Sequence, residues 1–120
     1  MSGKTVLVVE DHIALANLIR ELITRAGFEV LHAATGIEAL DLWQQAGKQV
    51  PVVLIDLTLP GRVNGHALAE HLKAENSRTE IIMMSGDLPG DTNGSHFLQK
   101  PFRTNQLVSA IEAAFARSAG

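Results

Sequence analysis

The sequence predicts an α/β fold, a doubly wound five-stranded parallel sheet in the order 2-1-3-4-5, with one of the usual crossover helices absent or much reduced. Three observations carry this expectation. Five short apolar runs are spread along the 120 residues, stripes of helical period separate most of them, and 46% apolar content supplies a core for one domain over residues 1–120. Right-handed crossovers and the need to cover both sheet faces then select the strand order.

Val6-Leu7-Val8-Val9 reads as a buried strand. From His12 to Ala26 the positions Leu15, Leu18, Ile19, Leu22, Ile23 and Ala26 follow helical spacing, and Gly27 supplies the stop. Phe28 to Leu31 reads as a short second strand. Ile37 to Gln45 reads as a helix with Ile37, Leu40 and Trp43 on one face, and Trp43 belongs to the core. Val50 to Ile55 is apolar almost throughout, as expected of a strand covered on both sides. The turn formers from Leu59 to Gly65 precede a helix from His66 to Ala74, and Glu80 to Met84 gives a fourth strand. Residues 86–96 hold three glycines, a proline and Leu88 as the only large apolar side chain, so they read as a mobile loop. Phe97 to Gln99 is a fifth strand. Thr104 to Arg117 is a last helix with Leu107, Val108, Ile111 and Phe115 inward.

Composition narrows the function. There is no cysteine, hence no disulfide scaffold, thiolate zinc site or thiol nucleophile. Ten Lys and Arg against thirteen Asp and Glu give −3 with no basic stretch, which argues against nucleic acid and against direct membrane contact. No apolar run has signal-peptide or membrane-spanning form, so the cytoplasm is the expected location, for a free-standing chain or for a domain of a longer protein. The five histidines, His12, His32, His66, His71 and His96, fit structural roles better than a metal site.

The chemistry gathers at strand ends. The first strand ends in Glu10-Asp11 and the third in Asp56, and neighbouring parallel strands lie about 4.8 Å apart, so three carboxylates converge at the switch point. A lone acid at such a place is ordinarily a solvated loop residue or a cap, and Asp11 is expected to cap the first helix. Three together repel unless a cation joins them, and an all-oxygen set open to water suits Mg²⁺ or Mn²⁺. On this reading the metal-free chain is strained, and both Mg²⁺ and Asp56→Asn raise its melting temperature. Ser85 at the fourth strand end offers a hydroxyl, Gly86 lets the backbone approach a ligand, and Lys100 at the fifth strand end offers an ammonium. An acyl phosphate on Asp56 would add about one negative charge, which the ion and Lys100 can absorb.

The strings Val8-Val9-Glu10-Asp11, Val53-Leu54-Ile55-Asp56-Leu57-Thr58-Leu59-Pro60-Gly61, Met84-Ser85-Gly86 and Phe97-Leu98-Gln99-Lys100-Pro101-Phe102 strongly resemble the receiver domains of two-component response regulators. The resemblance spans nearly the whole chain and implies a flavodoxin-like, CheY-like fold. It implies that Asp56 accepts a phosphoryl group from a histidine kinase or histidine phosphotransfer domain. Glu10, Asp11, Asp56 and the backbone carbonyl of Thr58 would hold Mg²⁺, Ser85 and Lys100 would contact the phosphoryl oxygens, and Phe97 would be the aromatic switch. It also implies a cis bond before Pro101. The turn from Pro60 to Gly65 is one residue longer than the commonest form, a variant associated with receivers of hybrid sensor kinases, so an effector domain or a fused kinase core is the expected neighbour. The reduced fourth helix of the family removes part of the usual pairing surface, and the isolated domain is expected to stay monomeric.

Two other readings compete. A haloacid-dehalogenase-like phosphatase would need a second acid two residues after the nucleophile, where this chain has Thr58. A receiver-like interaction module that is not phosphorylated would have no need of the full acceptor set. The expected role is therefore a phosphoacceptor, not an enzyme.

Overall fold

The computed structural model describes residues 4–59, 61, 63–87 and 96–119. The elements are β1 (Thr5–Val9), α1 (Ile13–Arg25), β2 (Glu29–Ala33), α2 (Gly36–Gln45), β3 (Val52–Asp56), α3 (Gly65–Glu75), β4 (Glu80–Ser85), β5 (His96–Gln99) and α4 (Thr104–Ala119). All strand pairs are parallel and the order is β2-β1-β3-β4-β5, as expected.

The strands read as continuous apolar runs because each faces two cores. Leu7, Val9, Val53, Ile55, Ile81 and Met83 point to one side, where Ala39, Trp43, Leu68 and Leu72 of α2 and α3 cover them. Val6, Val8, Val52, Leu54, Ile82 and Met84 point to the other, against Ile19 and Ile23 of α1 and Leu107 and Ile111 of α4. The alternation is the period of two of a pleated strand, applied to a sheet with helices on both faces. Trp43 is fully buried, as expected, and its indole N–H donates to Glu75 Oε1 at 3.1 Å, tying α2 to α3. Lys48 Nζ also meets Glu75, at 2.6 Å, and is the leading cause holding that carboxyl below its usual range.

Several local expectations need correction. Asp11 does not cap α1; His12 does, its ring accepting the Leu15 N–H at 3.2 Å. Ile37 is 63% exposed, since the buried stripe of α2 runs through Gly36, Ala39 and Trp43. Leu18 is likewise half exposed. The second strand begins at Glu29, and Phe28 instead stacks on Phe115 with ring centroids 4.8 Å apart. The third begins at Val52, after Pro51, whose missing N–H bars it from donating to a ladder. The helix after the turn starts at Gly65, with the Asn64 side chain accepting the Ala67 N–H at 2.8 Å.

Four helices are present among the described residues. The reading of residues 86–96 as loop falls largely on 88–95, outside the described residues, as do Pro60 and Arg62 of the long turn. Among the described residues no helix is long and apolar enough to cross a membrane.

Candidate functional site

The β1–β3 register pairs Val9 with Ile55, so the residues that follow, Glu10 and Asp56, leave the sheet side by side. Both are buried, at 0% and 2% exposure, while Asp11 is exposed. One carboxylate oxygen from each of Glu10, Asp11 and Asp56 lies within 4.8 Å of the others. Such a set is all oxygen, negatively charged and open to solvent through Asp11, which fits a hard divalent cation that keeps part of its water. The convergence read from strand ends is therefore present in space.

Lys100 reaches the same place from the far side of β4. Its backbone N–H donates to the Ser85 carbonyl at 2.8 Å, and the bond to Pro101 is cis. From there Nζ donates to Glu10 Oε1 at 2.8 Å and to Asp56 Oδ2 at 2.9 Å. One ammonium thus bridges two buried carboxylates. The other oxygen of Asp56, Oδ1, accepts the Thr58 N–H at 2.9 Å and the Thr58 hydroxyl at 2.8 Å, closing a turn of the Asx type. Thr58 was expected to matter through its carbonyl; its two donors are what the geometry adds.

The two buried acids are inequivalent. Burial pushes Glu10 up, and the donors Lys100 and the His12 N–H offset it only in part, with the neighbouring Asp56 adding to the rise. Burial also acts on Asp56, but there the Thr58 N–H, Lys100 and the Thr58 hydroxyl together outweigh it and hold the carboxyl below its usual range. Burial likewise opposes the charge on Lys100, but its hydrogen bonds to Glu10 and Asp56 outweigh it and raise that ammonium above its ordinary value. The most satisfied anion of the cluster is Asp56, and the proton-hungry one is Glu10.

Ser85 is buried at the end of β4, next to the site, and its hydroxyl oxygen accepts the Asp87 N–H at 3.1 Å. Phe97 pairs with Met83 in the β4–β5 register and lies half-buried against the α2–α3 side core. Three contributors escaped the sequence reading. His12 and His32 both touch Glu10, the first by its backbone N–H to Oε2 at 3.1 Å, the second by its ring to the Glu10 carbonyl at 2.8 Å. Gly65 lies so close under the acceptor strand that a Cβ there would stand 2.7 Å from the Asp56 carbonyl oxygen. Of the remaining histidines, His71 pairs with Glu75 at 2.9 Å, His96 lies 3.6 Å from Glu80, and His66 is exposed.

This geometry has relatives. The chain is 34% identical over 122 residues to the sensor kinase CckA of Brucella abortus, covering 93% of this chain and 13% of that protein. It is 32% identical to the regulatory protein VanRB of Enterococcus faecalis, covering 94% of this chain and 53% of that one. The chain thus spans between an eighth and about half of these relatives. Among solved structures, a response regulator receiver domain protein from Clostridium thermocellum superposes with a TM-score of 0.87 at 25% identity, over 96% of both chains. The chemotaxis protein CheY4 of Vibrio cholerae gives 0.82 at 25% identity, over 92% of this chain and 97% of that one. A family model described as the response regulator receiver domain matches residues 6–112, and the chain belongs to that family.

Proposed function

We propose that the chain is the phosphoacceptor of a two-component phosphorelay, taking a phosphoryl group from a phosphohistidine onto Asp56 with Mg²⁺ and then changing conformation to signal. The observation that carries this reading is the Lys100 ammonium 2.9 Å from Asp56 Oδ2, beside an Oδ1 already committed to two donors of Thr58. Oδ2 is then the oxygen that attacks phosphorus; the P–N bond breaks, and the departing imidazole nitrogen keeps the electron pair. The Thr58 amide is fixed in the chain and stays on Oδ1, the Thr58 hydroxyl can rotate off that oxygen and leave it to an ion, and the flexible Lys100 can follow the new charge onto the phosphoryl oxygens. Glu10, Asp11, Asp56 and the Thr58 carbonyl would hold Mg²⁺, or Mn²⁺ in its place, and the ion would neutralise the phosphoryl group. Ser85 is the hydroxyl donor to that group, and Phe97 the side chain whose position reports it.

The donor is a histidine kinase or a histidine phosphotransfer domain. Exposed Ile13 and Leu18 on α1, and a cavity of about 450 Å³ lined by Leu15, Leu18, Leu22, Lys100, Pro101 and Phe102, adjoin the acceptor and support docking there. The likeness to CckA and VanRB supports an effector domain or a fused kinase core as the neighbour. Residues 1–120 are read as one cytoplasmic receiver domain, monomeric when isolated and not an enzyme acting on free substrates. Intact-mass spectrometry after acetyl phosphate and Mg²⁺ tests the core of this reading. One added phosphoryl group is expected on the parent, and none on Asp56→Asn or without the ion. An unlabelled parent, or equal labelling of Asp56→Asn, would overturn it.

The inequivalent acids give a pH dependence. Glu10, raised above 4.5, contributes stability that is complete below that value and is lost as pH rises through its folded pKa. Asp56, lowered below 3.8, contributes stability above that value, lost only as pH falls through its folded pKa. As pH rises the metal-free site therefore keeps the Asp56 contribution and loses that of Glu10, which is the anion a cation would recover. Added Mg²⁺ is expected to raise the melting temperature more at about pH 8 than at about pH 5. Thermal melts with and without the ion at both pH values check the sign.

A further inference from the structure

His32 stands opposite Val8 in the β1–β2 register, on the sheet face that carries α1. Its Nε2 lies 2.8 Å from the Glu10 carbonyl oxygen. A carbonyl can only accept, so Nε2 carries the proton. The Glu10 N–H meanwhile donates to the Ala33 carbonyl at 3.0 Å. Both main-chain polar groups of Glu10 are thus held from β2, one by backbone and one by a side chain, just past the end of β1.

His12 holds the turn from its other end. Its own N–H donates to Glu10 Oε2 at 3.1 Å, and its ring Nδ1 accepts the Leu15 N–H at 3.2 Å as the cap of α1. An acceptor at Nδ1 is unprotonated, so a neutral His12 ring also carries its proton on Nε2. Asp is a far commoner cap than His, and Asp11 is one residue away. An aspartate capping the helix would commit a carboxylate oxygen to the backbone. With the cap supplied by His12, the exposed Asp11 carboxylate stays within 4.8 Å of Glu10 and Asp56.

We propose that His32 and His12 are positioning residues for the acidic turn: the His32 ring fixes the Glu10 carbonyl and the His12 ring caps α1, leaving Asp11 free for a divalent cation. The proposal rests on reading the acidic cluster as a Mg²⁺ site. A metal-ligating group is commonly oriented by an outer hydrogen bond, and here the bonds act on the main chain and the helix end that carry the ligands.

Isothermal titration of the 120-residue chain with Mg²⁺ alone is the test. His32→Leu is expected to weaken binding about five- to tenfold, the effect of one lost hydrogen bond, with His32→Gln, which keeps an N–H donor, within about twofold of the parent. His12→Ala is expected to weaken it by a similar factor, as Asp11 is drawn to the open helix end, and His12→Asn, a good cap, to stay within about twofold. An unchanged constant in His32→Leu or in His12→Ala overturns the role of that histidine while leaving the metal reading intact. A parent that binds no Mg²⁺ overturns the metal reading, and this proposal with it. Independently of whether any variant folds, nitrogen NMR of the parent at mildly alkaline pH must show both rings protonated at Nε2, and a proton on Nδ1 of either ring overturns its assignment.

Discussion

Lys100→Met is expected to destabilise the metal-free chain by about 2–4 kcal/mol, and to regain most of that when Mg²⁺ is added. The Lys100 side chain keeps 22% exposure, but its partners Glu10 and Asp56 keep only 1% and 3%. Removing one member of a buried charge cluster costs about 3–5 kcal/mol because the survivors are left unpaired, and the partial exposure of the lysine discounts that figure. The loss is larger here than for an isolated pair of this exposure, since one ammonium serves two anions. Methionine keeps the volume of the aliphatic stem, so the packing around it is little changed. A cation bound to the native state alone stabilises by about 2.7 kcal/mol at one hundred times its dissociation constant, enough to stand in for the missing charge. Urea melts in chelator and in excess Mg²⁺ measure both halves. If Lys100→Met in chelator melts with the parent, the ammonium is not what neutralises the acids.

The same bridge corrects an expectation drawn from the sequence. Three carboxylates at one switch point suggest mutual strain, relieved by Asp56→Asn. Asp56, however, accepts three hydrogen bonds and sits below its ordinary pKa, so the strain falls on Glu10. Asparagine at 56 would turn an amide N–H towards either Lys100 or Thr58, donor against donor, and is expected to lower the melting temperature of the metal-free chain rather than raise it. Sequence spacing reveals which charges converge but not which donors meet them. The Asp56, Lys100 and Glu10 positions were legible because each ends a strand, and the apolar runs that mark the strands are continuous. The two histidines were not, because His32 lies just past the apolar run that reads as the second strand, and Asp11 beside His12 reads as the better cap. Ile37 misled for a different reason: six residues from Trp43, it stands about 120° round the helix, whereas Gly36 and Ala39, seven and four residues away, share the Trp43 stripe and are buried.

Gly65→Ala is expected to slow acetyl phosphate labelling about ten- to hundredfold and to cost about 1–2 kcal/mol, although alanine is the better helix former. A Cβ at 65 would stand 2.7 Å from the Asp56 carbonyl oxygen and 2.9 Å from the Leu57 Cα, and both are backbone atoms that cannot rotate away. Overpacking of this kind costs about 1–3 kcal/mol or more, against a gain of at most about 1 kcal/mol in helix propensity. The overlap wins, and relief requires β3 and α3 to move apart at the acceptor itself. A displacement of about 1 Å at a reacting group can cost a hundredfold in rate, which makes labelling a more sensitive readout than melting. Asn64→Ala separates the two effects. It removes the α3 cap that accepts the Ala67 N–H, at a cost of about 1 kcal/mol, without touching the acceptor strand. Comparable melting losses with labelling slowed only in Gly65→Ala would show that the glycine sets the position of Asp56; equal labelling rates in the two variants would show that it serves the helix alone.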